Sequence, residues 1–200
     1  MLKTEIPKRS YSGEQWITNK TNKKYLAIDF KHRCAYCDDL DSIYGGPRLY
    51  DVEHFAPKEK FPALEFTYDN LLYACTYCNN SKNDDWPSGN STISVVGDCG
   101  YVDPCTDAYY DHLDRDERTG KIYSKSDLGK YMYDHLKLYL RRHEIIYMLD
   151  KLQMKINQLT ESIKADNESG LDTSKKEAFL SAYKNEFYDY YCQIQKQPGA

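Results

Sequence analysis

From Ser126 onward, apolar residues recur every three or four positions. The series runs Leu128, Tyr131, Met132, Leu136, Tyr139 and Leu140, then Ile145, Ile146, Leu149, Leu152, Ile156, Leu159 and Ile163. That period presents one stripe to a core and predicts a long amphipathic helix, broken near Arg141–His143. Asp166-Asn167-Glu168-Ser169-Gly170 ends it. A second helix is expected from Thr173 to Gln195, carrying Phe179, Leu180, Tyr183, Phe187, Tyr190 and Tyr191. The two should fold into an antiparallel pair.

Upstream the pattern is shorter and mixed. Trp16, Ile17, Tyr25, Ile28 and Phe30, set among Lys and Asn, predict a short helix within residues 14–30 that ends near Lys31-His32. Gly45-Gly46, between Ser42-Ile43-Tyr44 and Arg48–His54, reads as a hairpin turn. Its second strand should stop near His54, ahead of Pro57. Residues 58–68, with Pro62, read as a loop. Asp69-Asn70 ahead of the apolar run Leu71–Ala74 reads as a capped helix start. Residues 85–105 are rich in Gly, Pro and Asn and predict an irregular connection with a short strand at Thr92–Val96. A hairpin around Thr119-Gly120 is expected within His112–Tyr123. The implied class is α+β, with a mixed module at residues 1–125 and a helical region at 126–200.

Composition narrows the setting. A chain of 200 residues, 40% hydrophobic and 29% charged, suits one sizeable core or a small catalytic module with a helical extension. No apolar stretch is long enough to span a membrane, and Met1–Pro7 lacks the apolar segment of a secretion signal. The expectation is a cytoplasmic protein whose thiols stay reduced. There, seven cysteines that include Cys34-Ala35-Tyr36-Cys37 and Cys75-Thr76-Tyr77-Cys78 point to metal ligation before disulfides. Four thiolates fill a tetrahedral Zn²⁺ shell, which makes a structural site. The pairs stand wider apart than the usual ribbon spacing, so an insert separates them, and it carries Glu53-His54. The plainer alternative is four buried free thiols. A redox pair is disfavoured because no βαβ pattern accompanies either CxxC. Cys99, Cys105 and Cys192 lack paired spacing and read as ordinary thiols.

The net charge of −4 argues against a generic basic coat for nucleic acid. Lys8, Arg9, Lys20, Lys23, Lys24, Lys31 and Arg33 are locally basic but read first as solvated surface. The 20 tyrosines read mainly as core or interface residues rather than base-stacking platforms. His112, His135 and His143 read as packing and polar residues.

Taken singly, His54 is an ordinary polar residue, Asn70 a helix cap and Lys82 a surface lysine. Taken together, the run Asp51-Val52-Glu53-His54-Phe55-Ala56-Pro57, then Asn70-Leu71, then Cys75-x-x-Cys78-Asn79-x-x-Lys82 resembles the HNH, or ββα-metal, nuclease family. The likeness covers about Lys31 to Asn83 and implies a zinc-stapled ββα-metal core with a helical C-terminal extension. By that resemblance His54 is the general base, Glu53 a ligand of a catalytic Mg²⁺ or Mn²⁺, and Asn70 the residue fixing the loop that carries His54. Asn79 stands where many members have His and is the implied second ligand, with Asn80 and Asn83 left as alternatives. Lys82 is expected to neutralise phosphate charge. A hard amide oxygen suits Mg²⁺ or Mn²⁺ better than Zn²⁺.

A further segment, Tyr101-Val102-Asp103-Pro104 through Asp107, His112-Leu113, Asp116 and Gly120-Lys121-Ile122, is similar to the PtuB-like subgroup of Septu and retron-associated anti-phage systems. That similarity implies a PtuA-like ATPase partner and a nucleic acid substrate, DNA ahead of RNA such as tRNA. The rivals are a stand-alone restriction-type nuclease and a non-catalytic zinc module that recruits nucleic acid or protein.

Overall fold

A computed structural model describes residues 2–3, 5–12, 18–43 and 45–196. Helix α1 spans Asn19–Asp29. It buries Leu26, Ala27 and, just past its end, Phe30. The positions expected to begin this helix further upstream, Trp16 and Ile17 among them, lie outside the described residues.

Strands β1 (Tyr50–His54) and β2 (Leu71–Cys75) form an antiparallel ribbon in which Tyr50 faces Cys75 and His54 faces Leu71. Helix α2 (Thr76–Lys82) follows β2 directly, with Cys75 as its extended N-cap. This ββα unit differs from the expectation in two places. Leu71–Cys75 is a strand, not a helix start. All five of its residues are buried, whereas a short surface helix would bury one stripe. The cross-strand stack of Tyr50 on Tyr73, 4.9 Å between centroids, suits a pleated pair.

Gly45-Gly46 does not close a hairpin either. Both glycines take positive φ, and Pro47 opens a 3-10 turn at Gly46–Leu49. The partner of β1 is instead supplied from beyond a long loop.

Two more hairpins follow. One pairs β3 (Val95–Val96) with β4 (Cys99–Gly100), shorter than the strand expected at Thr92–Val96. After the short helix α3 (Tyr109–His112), the other pairs β5 (Leu113–Arg115) with β6 (Ile122–Ser124) around the expected turn. Gly120, at φ 76°, lets that turn pack on the backbone of Glu144, where a Cβ would sit 2.8 Å from its carbonyl oxygen.

The C-terminal periodicity resolves into α4 (Asp127–His135), α5 (Arg141–Glu168) and α6 (Ser174–Gln195). The break falls at residues 136–140, just ahead of the expected Arg141–His143, which instead open α5. Leu128, Met132, Leu136 and Leu138 belong to the main core with the ββα unit, so that core runs past residue 126. A second cluster joins Ile145, Ile146 and Leu149 of α5 to Ile194 near the end of α6, which makes the pair antiparallel. Helix α5, with 28 residues, is about 42 Å long. Its buried residues fall between Arg142 and Leu152, and its later turns are more exposed. No described helix is long and apolar enough to cross a membrane.

Candidate active site and metal centre

The four knuckle cysteines converge. Cys34 and Cys37 lie in the turn after α1, Cys75 ends β2, and Cys78 sits in the first turn of α2. Their sulfur atoms all lie within 4.8 Å of one another, and all four residues are buried. Asp38, at φ 61°, closes the first knuckle, donating its N–H to the Cys34 carbonyl at 3.0 Å. Four sulfurs at this spacing match a tetrahedral Zn²⁺ shell, with every position filled by protein. The donor set therefore fits the expected structural zinc. Cys99, Cys105 and Cys192 are free thiols outside the cluster.

The catalytic candidates hang from the same ribbon. Asp51 and Glu53, two residues apart on β1, project to one face, and α2 lies along it. Asn79 Nδ2 is 3.4 Å from Asp51 Oδ2, and one helical turn on, Lys82 Nζ is 2.8 Å from Glu53 Oε1. The Tyr36 hydroxyl donates to the same Glu53 oxygen at 3.1 Å. Burial pushes the Glu53 carboxyl above its ordinary value, although Lys82 and Tyr36 pull it down. Among the three candidate asparagines, only Asn79 faces this strand. Asn80 is exposed, and exposed Asn83 bonds Asp84.

Lys82 is not where the sequence placed it. Its side chain is 0% exposed, and Nζ also donates to the His54 carbonyl at 3.2 Å. The rings of Tyr101 and Trp86 lie 5.4 and 6.0 Å from Nζ. A lysine so enclosed cannot reach a phosphate in this conformation; it braces Glu53 and the end of β1.

His54 closes the strand. Its Nε2 lies 3.0 Å from the Glu65 carbonyl oxygen. A carbonyl only accepts, so Nε2 carries the proton and Nδ1 keeps its lone pair. Burial holds the imidazole below its usual range against the opposing pull of that carbonyl, which favours the neutral ring.

Asn70 holds the loop that supplies the carbonyl. Its Oδ1 accepts from Ala56 N–H at 2.8 Å, and its Nδ2 donates to the carbonyls of Ala56 at 3.0 Å and Leu64 at 3.4 Å. The amide thus ties together both ends of residues 56–64.

Sequence reasoning missed Tyr36, Asp51 and the Glu65 carbonyl. Only Asp51 had a signal, its two-residue spacing from Glu53. Of the basic N-terminal set, Arg9 pairs with Asp103 and Arg33 with Asp150, so both act inside the fold.

The family model of HNH endonucleases matches residues 34–85, from the first knuckle cysteine to just past α2. The matched segment, about a quarter of the chain, is similar to HNH endonucleases. Over 54 residues the chain is 39% identical to the Septu protein PtuB of Bacillus thuringiensis, an alignment covering 26% of this chain and 19% of that protein. No solved structure matches the chain significantly.

The other histidines make the polar contacts expected of them. His112 bonds Ser126 at 2.6 Å, and His135 stacks on Tyr131. His143 is 2.7 Å from Asp39 Oδ2 and lies close enough to Asp39 and Cys37 to form a second potential metal group that shares Cys37 with the first.

Proposed function

We propose that this chain is a metal-dependent endonuclease that hydrolyses phosphodiester bonds of nucleic acid, DNA ahead of RNA. The observation that carries the reading is His54: a buried imidazole with Nε2 committed to the Glu65 carbonyl and Nδ1 left basic. Nδ1 takes the proton of the attacking water, and the Glu65 carbonyl stabilises the imidazolium that results. Asn70 keeps that carbonyl in place by clamping the loop. Glu53 and Asn79 are the proposed ligands of a catalytic Mg²⁺ or Mn²⁺, with Asp51 beside them, a hard oxygen set suited to either ion. Such an ion, when bound, supplies Lewis-acid stabilisation to the scissile phosphate. Lys82 and Tyr36 hold Glu53 through a single oxygen, Oε1, so the other oxygen is the one offered to the metal. A zinc ion held by Cys34, Cys37, Cys75 and Cys78 would tie β2 and α2 to the first CxxC.

The local likeness to the Septu protein PtuB supports a role in bacterial anti-phage defence, in the cytoplasm, with a PtuA-like ATPase as partner. Two features fit a partner. The chain is acidic overall and so poorly suited to capture nucleic acid alone. Helix α6 also exposes Phe179, Tyr188 and Tyr191, the kind of surface that marks interfaces. The test is cleavage of plasmid DNA and total RNA with Mg²⁺ or Mn²⁺, by the chain alone and with the ATPase. Cutting only in the complex supports the effector reading, and equal cutting alone favours a stand-alone nuclease. Binding without cutting in either setting leaves a recruiting zinc module and ends the enzymatic one.

A further inference from the structure

Two arginines are buried beside the knuckles. Arg142, at the start of α5, lies with Nη1 3.9 Å from Cys75 Sγ, stacked on the Tyr77 ring and 3.7 Å from Asp39. Arg115 of β5 is also buried. Its guanidinium donates to three carbonyls, those of Cys37 at 2.5 Å, Gly120 at 3.0 Å and His143 at 3.1 Å. Among the described residues no carboxylate comes within ion-pair distance of Arg115. Arg142 and His143 share the enclosed carboxylate of Asp39, His143 at 2.7 Å, while the neighbouring buried carboxylates are engaged elsewhere, Asp38 by Arg33 at 3.7 Å and Asp41 by His32 and Tyr73. An unpaired buried cation is costly. A zinc ion held by four thiolates carries a net double negative charge and would supply the missing anion at this spot.

We propose that the zinc tetrathiolate is the counter-charge of Arg115 and Arg142, and that it anchors α5, and with it the C-terminal helices, to the nuclease module. Arg142 is then a positioning residue for the metal as well as a packing residue of α5. Three polar contacts of the first half of α5 reach the region of the first knuckle, through Arg142, His143 and the pairing of Asp150 with Arg33 at 2.7 Å. Charge removed from the sulfur cluster is therefore felt first at the start of this helix. The inference rests on the zinc assignment and is independent of phosphodiester cleavage.

Two measurements on the full chain test it. The first is zinc affinity by competition with a chromogenic chelator, for wild type, Arg142→Met and Arg142→Lys. Loss of the charge at similar volume should weaken zinc binding roughly 10–100-fold, with Lys recovering part of it. The second uses wild type alone and so does not depend on the variants folding. As zinc is withdrawn stepwise, amide exchange over residues 141–152 should rise before that of β1 and β2. The proposal is overturned if Arg142→Met binds zinc within twofold of wild type, or if 141–152 lose protection only together with the ribbon. It also fails if the wild-type chain takes up no zinc, and cleavage assays remain free to succeed in that case.

Discussion

At the scale of single residues, the site depends on a few side chains held by specific polar contacts. Lys82 is the plainest case. Removing one partner of a buried ion pair leaves the other uncompensated, so Lys82→Met should cost about 3–5 kcal/mol in a denaturant titration. Adding Glu53→Gln to that variant should recover most of the loss, because no charge is then stranded; failure to recover would mean that Lys82 acts mainly through the His54 carbonyl. Asn70→Ala removes three hydrogen bonds and leaves the Ala56 groups unpaired, a loss of about 1–3 kcal/mol. Cleavage should fall further than stability, since the Glu65 carbonyl would no longer be held at His54. Full activity in a folded Asn70→Ala chain would refute the clamp. Much of this site was legible in the sequence, because Glu53, His54, Asn70 and Asn79 sit at fixed spacings around the two CxxC pairs. The contacts of Lys82 were not. A lysine one turn past a knuckle looks the same on paper whether it points to solvent or into a core lined by Tyr101 and Trp86.

At the scale of elements, period alone found the long helices and the β5–β6 hairpin but misread β2. Leu71–Cys75 is a fully buried apolar run, and such a run does not distinguish strand from helix by its pattern. What decides is a partner, β1, drawn from across a 16-residue loop, and no local signal names it. Gly45-Gly46 misled for a related reason, since the following Pro47 directs the chain into a 3-10 turn. The segment after α2 is tied down by Asp85, which accepts hydroxyls from Tyr101 at 2.7 Å and Tyr131 at 2.6 Å and so links it to α4. Partial burial pushes the Asp85 carboxyl up, but the bonds from Tyr131 and Tyr101 outweigh it and hold it below its ordinary value of 3.8. Its stabilisation is therefore present above pH 3.8 and is lost as pH falls through the lower folded value. Asp85→Asn should cost about 1 kcal/mol near pH 7, discounted for partial exposure, and the gap from wild type should close on acidification below that range. A gap that persists unchanged in acid would assign the effect to packing instead.

At the scale of the whole molecule, one cluster of four cysteines sits where α1, β2 and α2 meet, with the start of α5 pressed against it. The fold class and the helical extension could be read from the sequence. The attachment of that extension could not, because Arg142 lies 67 residues beyond Cys75 and only the folded chain brings them together. Cys34→Ser or Cys75→Ser should lower zinc content and melt the module, since binding energy at such a site is folding energy. Zinc content should otherwise be indifferent to His54, whose ring lies in the β1 loop region and contacts none of the cysteines. The central proposal, that this HNH-like segment cuts nucleic acid with His54 as base, is tested most directly by comparing wild type with His54→Ala in the same cleavage assay. Zinc content and melting temperature should be measured on both preparations. The predicted result is cleavage by wild type and none by the variant, with zinc and stability unchanged; cleavage by His54→Ala at the wild-type rate would contradict it.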